Sequence, residues 1–206
     1  MARKARNEVE PGLFHVYARG NEKQEIFRSR ADCAIYVRRL GVVTERQGWW
    51  CLAYCLMPNH IHLLVETVVP NLGDGMRLLH GAYAQGFNRR HGRDGHLFQG
   101  RFGSVPVTDD RQLATTVGYI ATNPVAAKLV DRPEAWRWGS HRALAGAEAV
   151  PAWLAARRLR ALLAGAFGGD GAARYRELVA SRLAASGVTA STSDRIVGAG
   201  SGSAVR

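Results

Sequence analysis

Residues 49–67 read Trp49-Trp-Cys-Leu-Ala-Tyr-Cys-Leu-Met-Pro-Asn-His-Ile-His-Leu-Leu-Val-Glu-Thr67, and the fold turns on how this stretch is divided. Trp49 to Leu56 is almost continuously apolar, as suits a strand covered on both faces. Met57-Pro58-Asn59 interrupts it with turn residues, and His60 to Thr67 resumes as a strand, so an antiparallel pair is expected. Alternation puts His60 and His62 on one face and Ile61, Leu63 and Val65 on the other. A His-x-His triplet by itself more often marks surface or satisfied core histidines. Here it follows a turn directly and lies beside a wholly apolar strand, which gives a shared metal ion rigid support.

Working outward, Leu13 to Arg19 reads as a strand with Phe14, Val16 and Ala18 alternating against His15 and Tyr17, closed by Gly20-Asn21. Ser29 offers an N-cap to a helix over 31–47, whose apolar stripe is Cys33, Val37, Leu40 and Val43. Asn71 is expected to cap a second helix with the stripe Leu72, Met76, Leu79, Tyr83 and Phe87. Its glycines, Gly73, Gly75, Gly81 and Gly86, weaken it by roughly 1 kcal/mol each in the interior. A polar stretch from Arg89 to Arg101 leads to a strand around Phe102 to Val107. Thr108 or Asp109 then caps a third helix carrying Leu113, Val117 and Ile120, which is expected to end at Asn123-Pro124 because a proline disfavours helical geometry in the residue before it. This order predicts an α+β fold, a largely antiparallel sheet with helices packed on it.

Tyr119 and Asn123 lie four residues apart and so share one side of the third helix, away from its apolar stripe. A tyrosine so placed is usually a half-buried surface aromatic, and its value depends on meeting the histidine pair in space. If they meet, two neutral imidazoles and an amide oxygen form an incomplete N/O set with room for phosphate oxygens and water, which favours Mg²⁺ or Mn²⁺ over structural zinc. Such an ion polarises a phosphodiester for in-line attack by the phenolic oxygen of Tyr119.

Four segments resemble those of the HUH-type single-tyrosine transposases, and among them the REP-associated tyrosine transposases of the small insertion-sequence group. They are His15-Val-Tyr-Ala-Arg-Gly-Asn21, Ala53-Tyr-Cys-Leu-Met-Pro-Asn-His-Ile-His-Leu-Leu64, Leu97-Phe-Gln-Gly-Arg-Phe102 and Tyr119-Ile-Ala-Thr-Asn-Pro-Val125. The resemblance implies the HUH palm, a ferredoxin-like antiparallel sheet flanked by helices. It also implies His60 and His62 as paired metal ligands, Asn123 as the amide ligand and Tyr119 as the attacking tyrosine. The implied activity is metal-dependent cleavage and strand transfer at hairpin-containing single-stranded DNA, through a 5′-phosphotyrosine intermediate. Relatives often carry Trp-Ser-Ser where this chain has Trp138-Gly139-Ser140-His141, so the role of that segment is open. Two other readings compete: a domesticated nucleic-acid-binding protein that does not cut, and a hydrolase of small phosphoesters in which Tyr119 is incidental.

The bulk composition agrees with a polyanionic partner. The 206 residues carry 28 Lys and Arg against 17 Asp and Glu, a formal charge of +11. Arg19, Arg89, Arg90, Arg93 and Arg101 are the candidate DNA contacts, with Lys23 and Arg28 as further phosphate contacts. Tyr17, Phe98 and Phe102 are candidates for stacking on unpaired bases. Three cysteines without a Cys-x-x-Cys pair suggest a reducing cytosol, and the N-terminus lacks the apolar run of a secretory signal. No membrane span is expected. The expected organisation is a nuclease domain over 1–147, a helical appendage over 148–185 and a disordered tail over 186–206, acting in the cytoplasm on DNA as a monomer or homodimer.

Overall fold

The computed structural model describes residues 10–186; most of the segment expected as a disordered tail lies outside these residues. Strands β1 (Gly12–Arg19), β2 (Trp50–Met57), β3 (His60–Thr67) and β4 (Gly103–Pro106) form one sheet in the order β2-β3-β1-β4, with every neighbouring pair antiparallel. Helices α1 (Arg30–Gln47), α2 (Leu72–His91) and α3 (Asp110–Ala126) flank it. The short helix α4 (His141–Ala145), which no pattern in the sequence announces, is followed by α5 (Ala156–Phe167) and α6 (Gly171–Ala185). The expected α+β architecture is therefore the one adopted.

The register sorts the sheet into two faces. Val16 pairs with Leu63 and Ala18 with Ile61, and this face is closed within one apolar cluster that includes Tyr36, Leu40, Met76, Leu79, Tyr83 and Phe87 from α1 and α2. On the other face Tyr17 pairs with His62 and Arg19 with His60, and α3 lies across part of it.

Local chemistry explains most of the boundaries. Ser29 caps α1 through a full capping box: its hydroxyl accepts from the Asp32 amide, and the Asp32 carboxylate accepts from the Ser29 amide. The Asp32 carboxylate also accepts from Arg90 and His91 at the end of α2, welding the two helices together. Asp109 caps α3 by accepting from the Gln112 amide. Asn71 precedes α2 without capping it. Its carboxamide is occupied elsewhere, accepting from Trp49 Nε1 at 2.7 Å and donating to the Gln47 carbonyl at 2.8 Å. Gly75 sits where a Cβ would lie 2.1 Å from Trp49, so this helix glycine makes room for the indole.

The edge of β2 is covered rather than free. Leu56 donates its amide to the Trp138 carbonyl, Ser140 bonds Tyr54 through both amide and hydroxyl, and Ala155 donates to Cys51. The Trp138–His141 segment is thus an edge guard that leaves no ladder groups of β2 open to pairing there. His141 then joins α4 to α6: its Nδ1 lies 2.9 Å from the Tyr175 hydroxyl and its Nε2 3.0 Å from Glu134. With α6 held in this way, its face packs across α3.

Candidate active site

Helix α3 does not stop at Asn123. It runs through Pro124 to Ala126, so Asn123 is a helical residue one turn after Tyr119, which corrects the expected end. A proline removes its own N–H and hence the bond to the carbonyl four residues back, here Ile120. The helix continues because its last turns are packed: Thr122, Asn123, Pro124 and Val125 are all buried. Both side chains therefore project from one side of a single element toward β3.

There they meet the histidines. The Tyr119 hydroxyl lies 3.3 Å from His62 Nε2, and Asn123 Oδ1 lies 3.3 Å from His60 Nε2. The rings of His60 and His62 are 5.0 Å apart, and those of His62 and Tyr119 4.9 Å. Behind Tyr119, α6 brings the Arg182 guanidinium to 5.5 Å from the phenol ring, over Gly118, whose lack of a side chain permits the approach.

Two residues outside the expected set fix the imidazoles. Asn59 donates its Nδ2 to the Lys23 carbonyl at 3.0 Å, so its Oδ1 must be the atom 2.7 Å from His60 Nδ1. His60 therefore donates from Nδ1 and turns the lone pair of Nε2 toward α3. His15, on the same sheet face, places Nε2 3.0 Å from His62 Nδ1. A Tyr119 hydroxyl donating to His62 Nε2 makes His62 donate from Nδ1 to His15, a self-consistent chain. The alternation of β1 places His15 on this face. Nothing in the sequence marks the Lys23 carbonyl, because it is presented by two non-glycine residues in left-handed conformation, Glu22 at φ 51° and Lys23 at φ 63°.

Burial lowers the affinity of all three imidazoles for protons. It drives His62 down to about 3, helped by the neighbouring His15 and His60. Burial is also the leading cause at His60, where the Asn123 bond opposes it and the Arg19 charge adds to it, and at His15. All three are neutral near pH 7. A neutral His60 that donates from Nδ1 faces Asn123 Oδ1 with a lone pair, so two acceptors oppose each other at 3.3 Å. A cation between them, or a turned carboxamide, resolves that opposition. With His62 alongside, the donors fit a divalent ion. Among the described residues no group of three or more His, Cys, Asp or Glu side chains is arranged to hold a metal ion, and the candidate donors are two imidazoles and an amide oxygen.

The candidate DNA contacts separate. Arg19, Arg89 and Arg101 are exposed. Arg90 is engaged by Asp32, while Arg93 lies against Phe87 and donates to Gln24. Phe98 and Phe102 are buried, Phe98 stacked on His80 at 4.1 Å, and of the three stacking candidates Tyr17 is the exposed one.

Residues 10–123 match the family model described as Transposase IS200 like. A curated Haemophilus influenzae protein named a REP-associated tyrosine transposase is 28% identical over 120 residues, 52% of this chain and 67% of that protein. A solved structure of a REP-associated tyrosine transposase bound to a REP hairpin matches with a TM-score of 0.58 at 17% identity, covering 71% of this chain and 87% of that one. At that identity the likeness is one of fold. Helices α4 to α6 lie beyond the segment matched by the family model.

Proposed function

The chain belongs to the IS200-like transposase family, and from that membership and the site's geometry we propose that it cuts and rejoins single-stranded DNA at hairpins, with Tyr119 as nucleophile. The observation carrying this reading is that one face of α3 presents Tyr119 to His62 and Asn123 to His60 across a single gap. The phenolic oxygen forms a bond to phosphorus, the bond from phosphorus to the 3′ oxygen breaks, and the phenol's proton is balanced by the new 3′ hydroxyl. The 5′ phosphate stays on Tyr119. Because the ester retains the bond energy, a 3′ hydroxyl can reverse the step without an external energy source.

His60, His62 and Asn123 would hold Mg²⁺ or Mn²⁺, which supplies charge neutralisation and polarisation of the phosphodiester when bound. The chain's own groups do the rest: Asn59 and His15 hold the imidazoles in the ligating tautomer, and α3 fixes the phenol. The hairpin bound by the similar solved transposase supports hairpin DNA as the partner, and the positive charge supports attraction to its backbone. Arg19, Arg89 and Arg101 are the freest candidates for phosphate contact, while Arg93 is partly occupied by Phe87 and Gln24.

One chain brings its own tyrosine to its own histidines, which supports activity as a monomer. Residues 1–147 then act as the nuclease, and 148–185 buttress α3 from behind. Buried, unbridged Cys33, Cys51 and Cys55 support a reducing cytoplasmic setting. Among the described residues no helix is long and apolar enough to cross a membrane.

The test is incubation with a labelled hairpin-containing single strand and Mg²⁺ or Mn²⁺. A denaturant-resistant protein–DNA adduct is expected, abolished in Tyr119→Phe while binding survives. Cleavage at a normal rate by the phenylalanine variant would overturn the assignment.

A further inference from the structure

Helix α3 covers only part of the histidine-bearing sheet face. Toward β4 that face is open, with Tyr17 44% and Val105 50% exposed. Tyr17 stands between the site and the sheet edge: its cross-strand partner is His62 on one side and Gly103 on the other. The ring lies directly over Gly103, where a Cβ would come within 2.2 Å of the phenol carbons. An aromatic covering a cross-strand glycine is a known way to stabilise a sheet. That accounts for the ring's position but not for what surrounds its exposed part.

Beside the ring is a cleft of about 310 Å³ lined by Tyr17, Arg19, Gln99, Gly100, Arg101 and Gly103. Its wall is fixed by backbone bonds: Gln99 donates to the Arg19 carbonyl at 2.9 Å, and Asn21 donates to the Leu97 carbonyl at 2.9 Å. Buried Phe98 anchors the same segment. Arg19 and Arg101 are exposed, and among the described residues neither pairs with a carboxylate. Arg19 is also the cross-strand partner of His60, so the cleft opens next to the candidate active site.

An aromatic plane flanked by two unpaired guanidinium groups has the chemistry of a stacking platform with phosphate clamps. In a duplex the base faces are already stacked, so only an unpaired base can use it. We propose that this cleft is a nucleobase subsite: one unpaired base of the substrate strand stacks on Tyr17, and Arg19 and Arg101 take the flanking phosphates. This rests on the strand-cutting reading above, since it supplies the single strand. The subsite fixes the strand's register relative to Tyr119 through the shared sheet.

The test uses the uncleaving Tyr119→Phe protein and a hairpin with a single-stranded flank carrying 2-aminopurine at one position at a time. Binding is expected to quench one position selectively. Tyr17→Ala should abolish that quench and weaken binding roughly 5- to 100-fold. Tyr17→Phe should keep both, which separates stacking from loss of fold. An abasic site at the quenched position should weaken wild-type binding and leave Tyr17→Ala with no further loss. Unchanged quench and affinity in Tyr17→Ala, or equal losses in the Phe and Ala variants, would sink the subsite. A wild-type chain that quenches one position yet forms no adduct would count against the cutting reading while leaving the subsite standing. A chain that binds no single strand overturns both.

Discussion

Asn59 Oδ1 lies 2.7 Å from His60 Nδ1, and the same carboxamide is anchored to the Lys23 carbonyl at 3.0 Å. The turn that carries Asn59 is itself held to the loop after β1, since Gly20 donates to the Asn59 carbonyl and Ile26 and Phe27 donate to the Pro58 carbonyl. A strained left-handed pair, Glu22 and Lys23, thus sets which nitrogen of His60 faces α3. Asn59→Ala is expected to free that ring and weaken divalent-ion binding about 10- to 100-fold, the usual cost of losing a partner that orients a ligating histidine. Titration with Mn²⁺ followed by electron paramagnetic resonance reads this without any cleavage. An unchanged affinity would show that His60 does not depend on Asn59 for its orientation.

The two glycines of α2 at positions 75 and 81 should respond in opposite senses to alanine. At Gly81 an added methyl would meet nothing within 4 Å, so Gly81→Ala gains helix propensity and should stabilise by about 1 kcal/mol. At Gly75 a methyl would lie 2.1 Å from the Trp49 ring, and this indole is buried and hydrogen-bonded to Asn71. Overpacking should outweigh propensity there, and Gly75→Ala should destabilise by about 1–3 kcal/mol. Urea midpoints of the two variants decide it. A shift of the same sign in both would mean that Trp49 yields easily.

That contrast shows what the sequence exposes and what it hides. The continuous apolar run of β2 and the turn at Met57-Pro58-Asn59 carry its pairing with β3, and period-two alternation carries the common face of His60 and His62. Four-residue spacing likewise carries the shared face of Tyr119 and Asn123. The end of α3 lies beyond its expected place because Pro124 has a strong local preference that burial of the surrounding turn overrides. Asn71 has the residue type of a cap, whereas Trp49, distant in sequence, claims its carboxamide. Tyr17 and Phe98 look equally fit to stack on a base, and only tertiary packing separates the exposed ring on β1 from the one buried against His80. Local rules therefore reach the chemistry, and tertiary contacts decide which side chains are free to perform it.

Acid should loosen this fold from its histidines. Burial drives both His62 and His80 down to about 3, against an ordinary value of 6.5. In the unfolded chain the same imidazoles protonate freely, so below pH 6.5 the unfolded state binds more protons than the folded one. Their contribution to stability is complete above that value and drains as pH falls toward 3. The urea midpoint should accordingly be lower at about pH 5 than at about pH 7.5. Replacing His62 with Asn should flatten the dependence by up to one proton, about 1.4 kcal/mol per pH unit at full difference. Mn²⁺ binding to the folded chain should persist below pH 6.5, where a free imidazole is already protonated, because burial keeps His60 and His62 unprotonated as ligation requires. A midpoint that stays level across that range would mean that these rings gain protons in the folded state as readily as in the unfolded chain, and burial would then not be what holds His62 unprotonated beside Tyr119.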